Sequence, residues 1–115
     1  HSIVIPALIL QPIVENAIFH GLVPRGKGGL LKIVFENQAD GGIRCTIEDN
    51  GIGRKASQRL KEKDGRKKLS VGNDLVEKLI VIFKEYEAMD IKIEYRDNEP
   101  SGTKVILIFN NIDAT

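Results

Sequence analysis

The order of helical and strand patterns along the chain is the feature that most restricts its fold. Apolar residues recur at helical spacing from Leu8 to Ile18, after Pro6 and before Gly21, which predicts a first helix that stops at this glycine. A second helix is predicted from about Asn73. The predicted strands, in chain order, are residues 30–36, 43–49, 91–96 and 103–109.

The resulting order, α-β-β-loop-α-β-β, predicts an α+β fold. Two helices that cover one face of a mostly antiparallel sheet bury the apolar surfaces of both layers. We therefore expect a two-layer α/β sandwich, with a mixed but mostly antiparallel sheet and helices on one face. Residues 1–115 are expected to form a single domain.

Length and composition agree with one soluble globular domain. The chain has 115 residues, of which 42% are hydrophobic and 29% are charged. Its single cysteine excludes a disulfide framework and a multi-cysteine zinc site. No apolar run reaches the roughly 18 residues that span a bilayer, and nothing near the start is typical of a cleaved signal. Because His1 and Ser2 open the chain without a methionine, we expect a fragment of a larger protein.

Positive charge is concentrated in residues 54–68. This stretch holds eight basic and two acidic side chains, whereas the whole chain has a net charge of only +1. It is polar and is bounded by Gly53 and Gly72, so we interpret it as a loop, either with an electrostatic role or simply solvated. No nucleic-acid partner is expected, because the stretch has no aromatic side chain on which bases could stack.

Asp49 has the most informative position of the polar residues. Period-two alternation places it on the same strand face as Cys45 and Ile47, and this face should be buried. A buried carboxylate needs a hydrogen-bond donor. Gly51 and Gly53 follow at once and allow both a sharp exit from the strand and a close approach to the backbone. Two interpretations stay open: a strand end with an Asx turn, or a carboxylate that accepts a hydrogen bond from a ligand amine.

Asn16 and His20 form a second candidate group. They are four residues apart and therefore lie on one face of the first helix, away from most of its apolar residues. The neutral carbonyl oxygen of Asn16 suits Mg²⁺, which takes few protein ligands. The alternative is a solvated polar edge. His20 by itself is typical of a capping or hydrogen-bonded residue, since no second histidine or cysteine lies near it at zinc spacing.

Two further positions could contact an anionic ligand. Gly72 directly precedes the predicted second helix, where free backbone N–H groups and the helix dipole attract anions. Thr103 opens the last strand with a hydroxyl that could reach a ligand or Asp49. The alternatives are a solvated charged loop before Gly72 and a plain turn before Thr103.

In their order along the chain, these motifs resemble a known family. QPIVENAIFHGL, residues 11–22, is similar to the N-box of histidine-kinase ATPase domains, in the variant of LytS-like sensor kinases. DNGIGR at 49–54 resembles their first glycine box, SVG at 70–72 a reduced second glycine box, and SGTKVILIF at 101–109 their terminal Gly-Thr block. The resemblance covers nearly the whole chain. It implies the Bergerat α/β sandwich shared with gyrase, the ninety-kilodalton heat-shock chaperones and the mismatch-repair ATPases.

The resemblance implies ATP and Mg²⁺ as ligands and a role for each matching residue. Asn16 would ligate Mg²⁺ on the phosphates, and Asp49 would accept the adenine amino hydrogen. Thr103 would hold a water between Asp49 and the base, while Gly51 and Gly53 would shape the adenine-side wall.

The remaining matches extend the implied nucleotide site. His20 belongs to the N-box, and residues 54–72 would form a flexible ATP lid that ends at Gly72. Pro12 stands where related hydrolytic ATPases carry a glutamate base, so we expect no efficient hydrolysis. Phe19 replaces a frequent phosphate-binding lysine, and Ser70 replaces the first glycine of the second glycine box.

The resemblance implies transfer of the γ-phosphate of Mg·ATP to a histidine on another domain of a two-component sensor kinase. The phosphoacceptor histidine should lie outside this chain, so the isolated fragment should bind nucleotide but phosphorylate itself poorly or not at all. The implied partners are the protein's own dimerisation and phosphoacceptor domain, a second copy in a homodimer, and a response regulator. The implied location is the cytoplasmic side of a bacterial inner-membrane sensor, anchored through an N-terminal part.

Other functions remain open at this stage. The departures at Phe19 and Ser70 could have removed useful affinity of the pocket for nucleotide. The chain would then be a pseudokinase-like protein-interaction module. An anti-sigma-type serine kinase with the same fold is a smaller possibility. Affinity for Mg·ATP separates the interaction module from the kinase domain.

Overall fold

The computed structural model describes residues 5–63 and 71–112. Helices α1 and α2 cover Ala7–Asn16 and Val23–Arg25, with a π-helical turn at Ala17–Leu22 between them. Helix α3 covers Gly53–Lys63 and helix α4 covers Val71–Glu87. The four strands are β1 Leu31–Asn37, β2 Ile43–Asp49, β3 Met89–Asp97 and β4 Thr103–Asn111.

The four strands form one antiparallel sheet in the order β1-β2-β4-β3. Helices α1 and α4 pack together on one face of this sheet, which confirms the predicted α+β sandwich. Every strand pair within the described residues is antiparallel, so the sheet is not mixed. The buried apolar core lies between the layers and comprises Ile9, Ile13, Cys45, Ile47, Val76, Met89, Ile91, Val105, Leu107 and Phe109.

The first helical segment runs past Gly21, so the prediction that it stops there is wrong. The helical segment ends instead at Gly26, whose φ of 87° is a backbone conformation that favours glycine. Pro24 is the second residue of α2 and lies two residues before this glycine. Gly21 therefore lies inside the helical segment, within its π-helical turn.

The continuous helical segment Ala7–Arg25 also bears on the expectation that no apolar run is long enough to span a bilayer. Its 19 residues have a mean hydropathy of 1.2 in the best window, which is long and apolar enough to cross a membrane by length and composition alone. One such helix is weak evidence for a span, because core helices of globular domains pass the same test. Here Ile9 and Ile13 belong to the core against the sheet.

Part of the predicted polar loop is helical. Residues 53–63 form α3, residues 64–70 lie outside the described residues, and α4 begins at Val71 instead of near Asn73. The sequence of α3, GRKASQRLKEK, consists mainly of strong helix formers and has no interior glycine or proline. Its lack of an apolar stripe concealed the helix, since periodicity reveals only helices with one apolar face.

Cys45 offers a simple check of the core. Its side chain is fully buried in β2, and burial raises the pKa of the thiol to about 11. Thiolate is the reactive form, so we expect no alkylation by iodoacetamide at pH 8 in the folded protein and rapid alkylation in denaturant. Mass spectrometry of the modified chain measures both; rapid modification without denaturant would contradict the placement of β2.

Candidate functional site

Asp49, the last residue of β2, is the centre of the candidate site. Only 5% of it is exposed, as its strand parity predicted. Its Oδ1 atom accepts hydrogen bonds from the backbone N–H of Gly51 at 2.9 Å and from the backbone N–H of Thr103 at 3.3 Å. The first of these bonds spans two residues and is the Asx turn considered from the sequence. The second ties the end of β2 to the start of β4.

The other carboxylate oxygen of Asp49 is available to a ligand. Its Oδ2 atom accepts no hydrogen bond from the residues that the structure describes. Burial raises the pKa of the Asp49 carboxyl above its usual value, and the N–H bonds from Gly51 and Thr103 oppose that rise. A carboxylate oxygen of a mostly buried residue can gain free energy from a ligand that donates an N–H to it.

Glycines surround Asp49 because the backbone packs against it on several sides. A Cβ on Gly51 would overlap the backbone of Gly21, and a Cβ on Gly102 would overlap the carbonyl oxygen of Asp49. Gly53, with a φ of 86°, starts α3 and lies beside Gly102. Gly51 thus lies next to the carboxylate and Gly53 at the nearby turn, whereas Gly21 and Gly102 were not among the predicted site residues.

Asn50 is a second residue of this site that the sequence analysis did not single out. Its side-chain oxygen accepts the N–H of Leu30 at 2.7 Å, and its amide nitrogen donates to the carbonyl of Gly28 at 3.0 Å. Arg25 donates to the Asn50 carbonyl at 2.6 Å. Asn50 therefore fixes the loop before β1 and the end of α2 to the segment that follows Asp49. An asparagine directly after the key aspartate was the available sequence signal.

The N-box residues lie on the helical segment that borders the site. Asn16 ends α1 and His20 lies in the π-helical turn; both are half-buried. The Asn16 side chain makes no hydrogen bond to the described part of the chain, so its amide oxygen is available as a ligand. Phe19, in contrast, is 63% exposed.

Gly72 occupies the second position of α4 instead of preceding the helix, because α4 begins at Val71. The predicted anion site would therefore lie in the first turn of α4, a part of a helix in which backbone N–H groups generally lack helical partners. Ser70 and the end of the basic stretch lie outside the described residues. Arg54 of α3 forms an exposed ion pair with Asp97 at 3.5 Å, which links α3 to the end of β3.

Mg²⁺ at Asn16 would depend on the ligand for most of its coordination. Within residues 5–63 and 71–112, no three histidine, cysteine, aspartate or glutamate side chains converge as a metal site. Mg²⁺ commonly takes only one or two protein oxygens and completes its shell with water and phosphate. A single amide oxygen fits that pattern, whereas it would not hold the ion without phosphates.

Comparisons with known proteins show which proteins this chain is similar to. No family model matches the chain. It is 31% identical over 103 residues to the sensor histidine kinase YesM of Bacillus subtilis (strain 168), a match that covers 90% of this chain and 16% of that protein. It is 44% identical over 50 residues to the sensor histidine kinase YpdA of Escherichia coli (strain K12), over 43% of this chain and 8% of that protein.

A solved structure shares the fold. The histidine kinase domain from the Erythrobacter litoralis EL346 blue-light activated histidine kinase superimposes with a TM-score of 0.61 and 19% identity, over 88% of this chain and 41% of that chain. These homologues are sensor histidine kinases, and the architecture is that of a histidine kinase domain. The chain spans less than a fifth of the length of the curated relatives it matches, at 16% and 8%.

Proposed function

We propose that this chain is the ATP-binding domain of a sensor histidine kinase, which binds Mg·ATP and presents the γ-phosphate to a histidine on another domain. The observation that carries the proposal is the buried Asp49 carboxylate with one oxygen held by two backbone N–H groups and the other open. The similarity to sensor histidine kinases supports the same function.

The proposed role of Asp49 follows from hydrogen-bond chemistry. Adenine presents an exocyclic amine, and an ionised carboxylate oxygen only accepts hydrogen bonds. Guanine presents a carbonyl at the same position, which would face Oδ2 without a proton between them. A buried polar group left unpaired costs roughly 1–3 kcal/mol, so the site would select adenine over guanine. Thr103, whose N–H already bonds to Asp49, would hold a water between this carboxylate and the base.

The phosphates would lie between the N-box and the basic lid. Asn16 would supply an amide oxygen to Mg²⁺, which when bound would neutralise charge on the phosphates. His20 would line the same side. Gly72, in the first turn of α4, would offer backbone N–H groups to phosphate oxygens, and the cations of residues 54–68 would raise the local phosphate concentration.

The proposed phosphoryl transfer depends on the alignment of the reacting groups and on the stabilisation of their charge more than on an acid or base in this chain. Phosphoryl transfer proceeds mainly through alignment and electrostatic stabilisation. By the family resemblance, Pro12 stands where related hydrolytic ATPases carry a glutamate base, so bound ATP would be hydrolysed slowly. In the intact protein we propose a homodimer with its own phosphoacceptor domain, a response regulator that receives the phosphate, and a cytoplasmic position in a bacterial inner-membrane sensor.

Isothermal titration calorimetry of the purified chain with ATP, with and without Mg²⁺, tests the proposal. We expect saturable, Mg²⁺-sensitive binding of ATP and at least tenfold weaker binding of GTP. No heat of binding at millimolar ATP would contradict the proposed function. This result would favour the protein-interaction module. The specific observation for that module is Phe19, which places an exposed apolar side chain where a phosphate-binding cation is frequent.

Asn16→Asp tests the metal role separately from the base pocket. We expect the added charge to change the Mg²⁺ concentration needed for half-maximal ATP binding by roughly tenfold, since carboxylate and amide differ as Mg²⁺ ligands. Adenosine, which has no phosphate, should bind the variant as it binds the original chain. Titrations of ATP at several Mg²⁺ concentrations and of adenosine alone measure the two effects; equal losses for both ligands would remove Asn16 from the metal role.

A further inference from the structure

We propose that Gly21 is a positioning residue for the Asp49 carboxylate, carried against it by the π-helical turn. The inference rests on the proposed nucleotide site. It adds Gly21 as a residue that supports this site because it lacks a side chain. Gly21 would keep Oδ1 of Asp49 on its two N–H donors and thereby leave Oδ2 open to the ligand amine.

The first observation is the contact between Gly21 and the Asp49 side chain. A Cβ on Gly21 would lie 2.9 Å from Oδ1, 3.4 Å from Cγ and 3.7 Å from Oδ2 of Asp49. Real Cβ atoms essentially never approach a heavy atom as closely as the first of these distances. Gly21 is buried, so a methyl group could not turn outward into solvent.

The second observation is that two hydrogen bonds restrict rotation of the Asp49 side chain. Oδ1 is held at 2.9 Å by the N–H of Gly51 and at 3.3 Å by the N–H of Thr103. An aspartate has a short side chain, and its rotation away from position 21 would lengthen both bonds. The same rotation would change the direction in which Oδ2 faces.

The third observation concerns the π-helical turn itself. The Val23 N–H bonds to the carbonyl of Ile18, five residues back, so one more residue fits into this turn than in an α-helix. The Gly21 carbonyl also accepts the N–H of Ile52 at 3.2 Å. This bond fixes the turn to the segment that follows Asp49, and a Cβ on Gly51 would overlap the same backbone. Isolated π turns are frequent at functional sites.

Gly21→Ala tests the inference, with Gly29→Ala as the matched control. Neither glycine needs a positive φ, and a methyl on Gly29 would meet the movable Leu22 side chain at 3.2 Å. We expect Gly21→Ala to weaken ATP binding about tenfold and Gly29→Ala to change it less than twofold. In an Asp49→Asn background, Gly21→Ala should weaken ATP binding less than twofold, because the effect acts through the carboxylate.

A second measurement does not depend on ATP. Hydrogen exchange of the Gly51 and Thr103 amides reports the bonds to Oδ1, and we expect Gly21→Ala to lower their protection at least tenfold relative to neighbouring strand amides. Unchanged protection would overturn the inference, as would additive losses in the Asp49→Asn background. Loss of protection in a chain that never binds ATP would refute the proposed function while the positioning role stands.

A suppressor covers the case in which Gly21→Ala does not fold. Asp49→Ala removes the atoms that the new methyl group would meet, so adding it to Gly21→Ala should restore the cooperative thermal transition. Asp49→Ala alone is the control; if it folds and the double variant stays unfolded, the methyl group acts elsewhere and the inference is overturned.

Discussion

Replacing Asp49 by asparagine is expected to weaken ATP binding about 10- to 100-fold, the equivalent of roughly 1.5–3 kcal/mol for a lost charge-assisted hydrogen bond. The asparagine oxygen can still accept the N–H groups of Gly51 and Thr103, so the backbone around the site should stay in place. The amide nitrogen would replace Oδ2, and its hydrogens would then face the hydrogens of the adenine amine. Calorimetric titration with ATP measures the loss.

GTP and a distant aspartate provide the controls for this variant. The new amide group can donate to the guanine carbonyl, so GTP binding should not fall, and the preference for ATP over GTP should collapse. Asp90→Asn makes the same chemical change in β3, opposite Asn110 and at the other end of β4 from Thr103. It should leave both nucleotides unaffected. Equal weakening of ATP and GTP by Asp49→Asn would indicate distortion of the pocket instead of loss of base recognition.

The stability of the Asp49→Asn variant separates recognition from folding. Burial raises the pKa of the Asp49 carboxyl in the folded state, so between pH 3.8 and that raised pKa the folded chain binds more protons than the unfolded chain. Stability contributed by this group therefore falls as pH rises through that window, and the cost of the buried charge is fully present at neutral pH. Asparagine carries no such cost. We expect the variant to be at least as stable at pH 7 and to lose this advantage as the pH falls.

Asp49 could be placed from the sequence because its burial depends on a local property. Strand alternation needs only the residues from Ile43 to Asp49, and both Cys45 and Ile47 share the buried face as predicted. The two hairpins that join β1 to β2 and β3 to β4 were signalled in the same way by turn residues. The α+β class followed from these patterns together with the apolar stripes of α1 and α4.

The parts that sequence reasoning missed depend on contacts between distant segments. Gly21 looks like a helix stop in isolation, because its contacts with Asp49 and Ile52 involve a segment that is distant in the sequence. Asn50 directly follows Asp49, but its sequence neighbours do not indicate that its bonding partners will be Gly28 and Leu30. Helix α3 was missed for a different reason, since its sequence has no apolar stripe and therefore leaves no periodic hydrophobic pattern.

Gly102→Ala is expected to destabilise the fold by about 3–4 kcal/mol, the largest effect of any single change considered. Gly102 has a φ of 102°, which costs an alanine roughly 1–2 kcal/mol. Its Cβ would also overlap the carbonyl oxygen of Asp49, a backbone atom that cannot rotate away. Separating them would strain the bonds of Asn98 to the Gly102 and Asp49 carbonyls, both 3.0 Å long and worth about 1 kcal/mol each. Urea denaturation followed by circular dichroism measures the loss.

Gly41→Ala separates the backbone strain from the overlap. Gly41 has a similar φ of 91° in the turn between β1 and β2, but nothing lies within 4 Å of a Cβ built there. This control should therefore lose only about 1–2 kcal/mol from the left-handed conformation. The difference in unfolding free energy between Gly102→Ala and Gly41→Ala measures how tightly the β3–β4 turn is held against the end of β2. Equal losses would mean that the turn can move away from Asp49 at little cost, and the candidate site would then lack the rigid wall that the proposed selectivity for adenine requires.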